Sequence, residues 1–308
     1  MNKVWIGIVV LGVLAGCAGT QTEGTGGQGG MTPPGDEGVP ASSSTGYAAI
    51  GDTVTDPNVV LSAITPTIFV GSDRNHELRQ QVGTLAITDD PAVWIVTLDG
   101  VDVTLNLQSD GNYTGNTGTQ EVVLAPGRAS TGEEVALAYL TFFDASPDES
   151  AFSQIGFVVA GFNTDPDEVA ALRGTATYRG STSLVMTRGD SNNSYGFGPA
   201  TFVADFAEGT ISGEMTVNEN GSSAGFEIEP TSITVASTPI TGNSFTTEMT
   251  IATAGLGIDT VDTAVLDGQF FGANGAAVGG SYSATGTDDG GATTVILQGG
   301  FVADDAAP

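Results

Sequence analysis

Two stretches of this 308-residue chain carry side chains whose types and spacing could do chemistry. The first is Ser72 to Gln81, where the sole histidine, His76, lies between Arg74 and Arg79. An imidazole flanked by guanidinium groups could bind an anion or ligate haem. One histidine with no cysteine or second histidine beside it makes no metal constellation, however. Ser72 or Asp73 as an N-cap before Arg-Asn-His-Glu-Leu-Arg-Gln predicts a short surface helix with charge pairs along it. The second stretch begins Asp110-Gly-Asn112-Tyr-Thr114-Gly115 and reaches Glu121, with oxygen donors at positions one, three, five and twelve of an EF-hand-like loop and glycine at six. Thr114 stands where Asp or Asn is usual, Thr117 replaces the aliphatic residue at position eight, and strands flank the loop. The expectation is a glycine-asparagine hairpin rather than a calcium site. No Ser-His-Asp, Cys-His, paired-His or phosphate-loop arrangement is present, and a single histidine restricts acid-base chemistry. With 36 acidic residues, a carboxylate pair picked from the sequence would be arbitrary. A non-enzymatic protein without a cofactor is expected.

Cys17 is the only cysteine, so no intramolecular disulfide can form. It follows a basic residue, Lys3, and an apolar run from Val4 to Leu14 that is too short for a permanent membrane helix but long enough for a signal peptide. Leu14-Ala15-Gly16-Cys17 resembles the bacterial lipobox, which implies cleavage before Cys17 and acylation of its thiol. Ala18 follows where an inner-membrane retention signal often has Asp, so the expected address is the outer membrane, lipid-anchored and at the cell surface.

The formal charge is −29, and Lys3 is the only lysine, so removal of the signal leaves six arginines against 36 acids. Such a surface repels nucleic acid and anionic headgroups. A cationic ligand is one reading. A surface adapted to salty water fits better, because the acids are scattered along the chain rather than blocked.

The elements that carry these residues are strands. The composition, with 45 glycines, abundant Thr and Ser, and 40% hydrophobic residues, predicts an all-β chain with real cores. Residues 1–16 read as signal peptide and 17–46 as a lipidated Gly/Ser/Thr-rich tether unable to bury enough surface to order itself. Residues 47–170 read as a smaller β-rich domain. Its candidate strands include Val101 to Leu107, whose valines and leucines alternate with Asp102, Thr104 and Asn106, and the two-sided apolar run Val135 to Leu140. Acidic turn residues Asp165-Pro166-Asp167-Glu168 mark its end.

Residues 171–303 alternate more regularly, ahead of an acidic tail at 304–308. Ala176, Tyr178, Leu184 and Met186 share one parity, as do Ala200, Phe202, Ala204 and Phe206, and Ile211, Gly213, Met215 and Val217. Ile233 and Val235, then Phe245, Met249 and Ile251, then Val295, Leu297, Gly299 and Phe301 continue the pattern. A hairpin across Asn274-Gly275 places Ala264, Leu266, Gly268 and Phe270 with Ala276, Val278, Gly280, Tyr282 and Ala284. Its glycines are read as allowing the bends a closing barrel needs. Eight strands joined by short turns predict an antiparallel up-and-down barrel with a filled interior. The aromatic residues form no girdle at the strand ends, so the apolar face is expected inside.

Several of these segments carry a family likeness. Gly174-Thr-Ala176-Thr-Tyr178-Arg-Gly180, Asp205-Phe206, Gly209-Thr-Ile-Ser-Gly213, Gly268-Gln-Phe270-Phe271-Gly272, Val278-Gly279-Gly280 and Gly300-Phe301 occur in an order that resembles the C-terminal barrel of the transferrin-binding protein B family. The likeness covers roughly Gly174 to Ala303, and the preceding strands resemble that family's handle domain loosely. Where the family often has Met-Pro at the junction, Ala171-Leu172-Arg173 stands. The resemblance implies a surface or outer-membrane lipoprotein that captures a protein or a metal- or haem-bearing ligand for iron acquisition, working with an outer-membrane transporter. The alternative is a structural or adhesive envelope lipoprotein with no small ligand. Tyr178 and Tyr282 are expected in the core rather than at a ligand. The protein is expected to act as a monomer, held to the membrane through Cys17.

Overall fold

A computed structural model describes residues 60–70, 76–87, 93–98, 101–109, 112–118, 120–129, 135–144, 152–188, 193–217, 219–220, 229–288, 290–291 and 293–305. The segments read from the sequence as signal peptide (1–16) and tether (17–46), Cys17 among them, and residues 306–308 lie outside them. Among the described residues the structure is all-β, with one short α-helix, α1 (Pro166–Ala171).

The first eight strands are β1 (Val60–Val70), β2 (His76–Ile87), β3 (Val93–Leu98), β4 (Val101–Leu107), β5 (Tyr113–Asn116), β6 (Gln120–Ala129), β7 (Val135–Asp144) and β8 (Phe152–Gly161). Each pairs antiparallel with the next, and β8 returns to β1 through Ser62↔Gly161 to Phe69↔Gln154, so the ring closes. The sequence shows a β-rich segment here but not its closure. Alternation on β4 holds at its centre, where Val103 and Leu105 are buried and Asp102, Thr104 and Asn106 exposed, but Val101 and Leu107 at its ends are exposed too. Trp94, Val96, Tyr113, Val122 and Leu124 are buried as well, and the Trp94 and Tyr113 rings lie 4.9 Å apart.

Two local expectations change. The described part of the predicted Ser72–Gln81 helix, His76 to Gln81, is strand, paired from Val70↔His76 to Thr65↔Gln81. A lone surface helix gains little apolar burial, whereas this ladder continues unbroken to Val60↔Ala86, so pairing overrides a weak local propensity. Within the Asp110–Glu121 stretch, residues 113–116 and 120–121 are also strand. Tyr113–Asn116 is a strand the sequence reading takes as loop, and Asn116 faces Glu121 across the β5–β6 hairpin. Gly115 does not make the turn: a Cβ there would strike the Thr104 carbonyl on β4, so this glycine serves close strand approach.

The second set comprises β9 (Thr175–Arg188), β10 (Asn193–Asp205), β11 (Thr210–Val217), β12 (Glu219–Asn220), β13 (Thr231–Pro239), β14 (Ser244–Ile251), β15 (Thr260–Phe271), β16 (Ala277–Asp288) and β17 (Thr293–Asp305). β17 pairs with β9 and β10 with β11, which closes an eight-stranded antiparallel up-and-down barrel. β12 is a two-residue extension paired with β10. The predicted parities point inward, from Tyr178, Leu184 and Met186 to Val295, Leu297 and Phe301, except that Ala276 falls in the connection before β16. The outer wall across β13 to β15 carries Ser232, Thr234, Thr246, Glu248, Thr250 and Asp267, so it has no apolar band to meet lipid.

Register explains the glycines inside the strands. Phe202 lies directly opposite Gly213, Phe245 opposite Gly268, Tyr282 opposite Gly299 and Phe301 opposite Gly280. In each case a Cβ on the glycine would strike the facing ring. Every pair thus places a large ring over a bare backbone, which lets four aromatic side chains share a small lumen at native density. Phe202 stacks on Phe301 at 4.4 Å, and Phe245 meets Phe270 edge to face at 6.0 Å.

The two barrels belong to one compact unit. Phe157 and Val159 on β8 pack with Val185, Phe271, Ala277, Ile296 and Val302 on the outer wall of the second barrel. This apolar seam explains why β16 and β17 are buried on both faces along most of their length.

Candidate functional site

Both ends of the second barrel carry polar bonds the sequence reading does not find. At the end where β9 begins, α1 follows a capped turn: Asp165 accepts from Asp167 N at 2.8 Å, and Pro166 opens the helix. Val169 of α1 enters the core. Asn274 N donates to Glu168 Oε2 at 3.3 Å, Asn243 Nδ2 donates to Thr164 O at 2.8 Å, and Thr164 Oγ1 donates to Gly272 O at 2.7 Å. Asn274 and Gly275 both take left-handed backbone, with φ of 57° and 66°. The hairpin thus turns at the expected residues, through a five-residue connection from Gly272 to Ala276. The Ala171-Leu172-Arg173 junction has its own work: Leu172 caps α1 and neighbours Gly275, while Arg173 Nη1 donates to Ala170 O at 2.8 Å and Leu172 O at 2.6 Å.

At the opposite end Arg188 spans the mouth. Its Nη2 donates to Leu256 O at 2.6 Å and lies 3.2 Å from Gly257 O, and its Nε lies 2.8 Å from Asp288 Oδ2. Asp288 is only 3% exposed. The signal in the sequence is charge in phase with an apolar face: Arg188 follows Leu184 and Met186, and Asp288 follows Tyr282 and Ala284 at even spacing. Leu256 and Ile258 fill the core beneath.

The two tyrosines are core residues, as expected. Tyr178 donates to Gly275 O at 2.8 Å, and burial, then the nearby Asp305 charge, hold its phenol well above the ordinary range. Tyr282 Oη lies 2.8 Å from Thr182 Oγ1 and 3.2 Å from Ser183 O. Burial also raises the Tyr113 phenol in the first barrel. With their phenols raised, Tyr178 and Tyr113 stay neutral at ordinary pH, which suits packing rather than proton transfer.

Of the chemistry-bearing stretches, His76 and Arg79 fall on β2, and Asn112, Thr114 and Glu121 fall on or beside the β5–β6 hairpin. Cys17, Arg74 and Asp110 lie outside the described residues. Among the described residues no three His, Cys, Asp or Glu side chains converge as a metal site. What the barrel offers instead is an acidic exterior. Around the α1 end, Asp165, Asp167, Glu168, Glu208 and Asp305 are exposed. Part of that charge is already engaged by backbone N–H groups, since Asp205 Oδ1 accepts from Ala207 N and Glu208 N at 3.0 and 3.1 Å. The surface therefore favours cationic partners and disfavours anionic ones.

Residues 171–300 match a family described as the C-lobe and N-lobe beta barrels of Tf-binding protein B. No curated protein matches the sequence. Among solved structures, a double mutant of the vaccine antigen Transferrin Binding Protein B (TbpB) from Haemophilus parasuis Hp5 aligns over 79% of this chain and 44% of its own length, at 16% identity and a TM-score of 0.50. Intact Ap-TbpB, with its N and C lobes, aligns over 79% and 46%, at 16% identity and a TM-score of 0.47. The isotype 1 protein from serogroup B Neisseria meningitidis aligns over 81% and 77%, at 12% identity and a TM-score of 0.38. The chain spans less than half the length of the first two. From the closed ring, the inward parity and this match, residues 171–300 constitute a TbpB-like β-barrel domain.

Proposed function

We propose that this protein is an outer-membrane lipoprotein, anchored at the cell surface through acylated Cys17, that captures a protein or a metal- or haem-bearing ligand for iron acquisition. The observation that carries this reading is the TbpB-like barrel at 171–300. Residues 17–46 would hold the folded part off the membrane, and an outer-membrane transporter would receive the cargo. The similar solved structures are named for binding transferrin; here the partner is proposed only by class, a protein with a basic face or an iron- or haem-bearing species. The packed lumen supports binding through loops and outer wall rather than inside the barrel. That same packing is what a structural or adhesive envelope protein would show, and it is the second reading.

The test is a pull-down from envelope extract and growth medium with the chain from Ala18 onward, with iron, haem and calcium each added and withheld. One partner retained in stoichiometric amount supports capture. No retained species under any condition, with the β fold verified by circular dichroism, replaces it with the structural reading.

A further inference from the structure

The wall of the second barrel is not evenly laddered. β14 pairs with β15 from Ser244↔Gln269 to Glu248↔Val265, and the ladder stops there. On its other side it pairs with β13 only at Ile233↔Ile251, Thr234↔Thr250 and Val235↔Met249. β14 thus changes neighbour at Glu248 and Met249. Toward the Arg188 end it follows β13, while β15 follows β16. The β14–β15 ladder thus ends short of the connection 252–259, which sends Leu256 and Ile258 into the core.

That connection is tied at its two ends to different strands. Ala252 N donates to Ser232 O of β13 at 2.9 Å, and Asp259 N donates to Thr287 O of β16 at 2.9 Å. Between them a 3-10 turn (Ala254–Leu256) is closed by its own bonds, Leu256 N to Thr253 O and Ile258 N to Thr253 O, with Gly257 in left-handed backbone at φ 60°. Its middle is held from outside by Glu229 N donating to Gly255 O at 3.0 Å and by Arg188. Arg188 stands on β9, which is not adjacent to β14 or β15 in the ring, so its side chain crosses the mouth to reach Leu256 O and Gly257 O. Asp288, on β16, fixes the guanidinium from the side.

We propose that residues 252–259 form a strap that opens as a unit while the barrel stays folded, with Arg188 as its latch. Opening lifts Leu256 and Ile258 from the core and breaks the Arg188 and Glu229 bonds. It breaks no β14–β15 pair, because none exists beyond Glu248↔Val265. Local opening is therefore far less costly than global unfolding, which must also break the β9, β16 and β17 ladders.

Hydrogen exchange read by mass spectrometry on the full chain tests this. Arg188→Gln shortens the latch but leaves Asp288 buried beside a neutral group, so Arg188→Gln with Asp288→Asn is the companion variant that removes that carboxylate. In both variants exchange over 252–259 is expected to rise about tenfold, the effect of losing one or two such bonds, while β16 and β17 keep parental protection. In the double variant the thermal midpoint recovers toward the parent while the strap stays fast. Parental exchange over 252–259 in either variant overturns the proposal. An equal rise across all strands in both variants overturns it too, since the strap would then open only with the barrel.

Discussion

Replacing Gly268 by alanine and Phe245 by alanine, singly and together, tests whether the lumen is built on glycine–aromatic pairs. The two residues are direct partners on β15 and β14. The three nearest atoms to a Cβ on Gly268 all belong to the Phe245 ring, and Phe245 is 2% exposed. Gly268→Ala therefore forces the ring off its rotamer and should cost about 1–3 kcal/mol. Phe245→Ala removes the ring from contact with Phe202 and Phe270 and should cost about 3–5 kcal/mol. If the costs were independent, the double variant would lose about 4–8 kcal/mol. Once the ring is gone the new methyl has nothing to strike and fills part of the cavity. The double variant should then lie no lower than Phe245→Ala alone, a coupling of about 1–3 kcal/mol, the whole overpacking term. Urea unfolding of the four proteins, followed by near-ultraviolet circular dichroism, gives the cycle from midpoints at a shared slope. Additivity within about 0.5 kcal/mol would refute the argument, because the glycine would then serve strand curvature and not the facing ring.

Three other outcomes are expected. Because burial and Asp305 raise the Tyr178 phenol, the folded state holds that proton more tightly than the unfolded chain. Its contribution is fully present below about pH 10 and declines as pH rises beyond it, so Tyr178→Phe should flatten the alkaline fall of the urea midpoint, at a cost of about 1 kcal/mol for the lost Gly275 bond. At a formal charge of −29, raising salt from about 0.01 M to about 1 M shortens the screening length from about 30 Å to about 3 Å. The thermal midpoint should rise with salt and not with an equal osmolality of sucrose; equal rises would remove self-repulsion as the cause. Cys17→Ser should abolish labelling by a palmitate analogue and release the protein from the membrane fraction, and retained labelling would disprove acylation at that thiol.

Much of the second barrel is legible because alternation at period two fixes which face each residue takes before its partner is known. Tyr178, Phe202, Met215, Phe245, Leu266 and Phe301 could be assigned to the lumen on parity alone, and the structure places them there. Arg188 and Asp288 were missed, although their phase with apolar neighbours is a signal that could have found them; nothing in the sequence says that one reaches across a barrel mouth to a carbonyl of another loop.

Where local preference competes with pairing, the sequence speaks less clearly. His76 to Gln81 reads as helix by its cap and charge spacing, and Tyr113 to Asn116 reads as loop by its glycine and asparagine. Each becomes a strand because a neighbour offers a full ladder. Closure of the first ring rests on β1 meeting β8, a pairing between residues far apart in the chain that no local pattern encodes. The in-strand glycines show the division most directly. Composition and parity determine that Gly213, Gly268, Gly280 and Gly299 line the lumen. Only the register of adjacent strands decides that each faces an aromatic ring, because steric room at a glycine is a property of the side chain opposite it, and that partner is chosen by the tertiary fold.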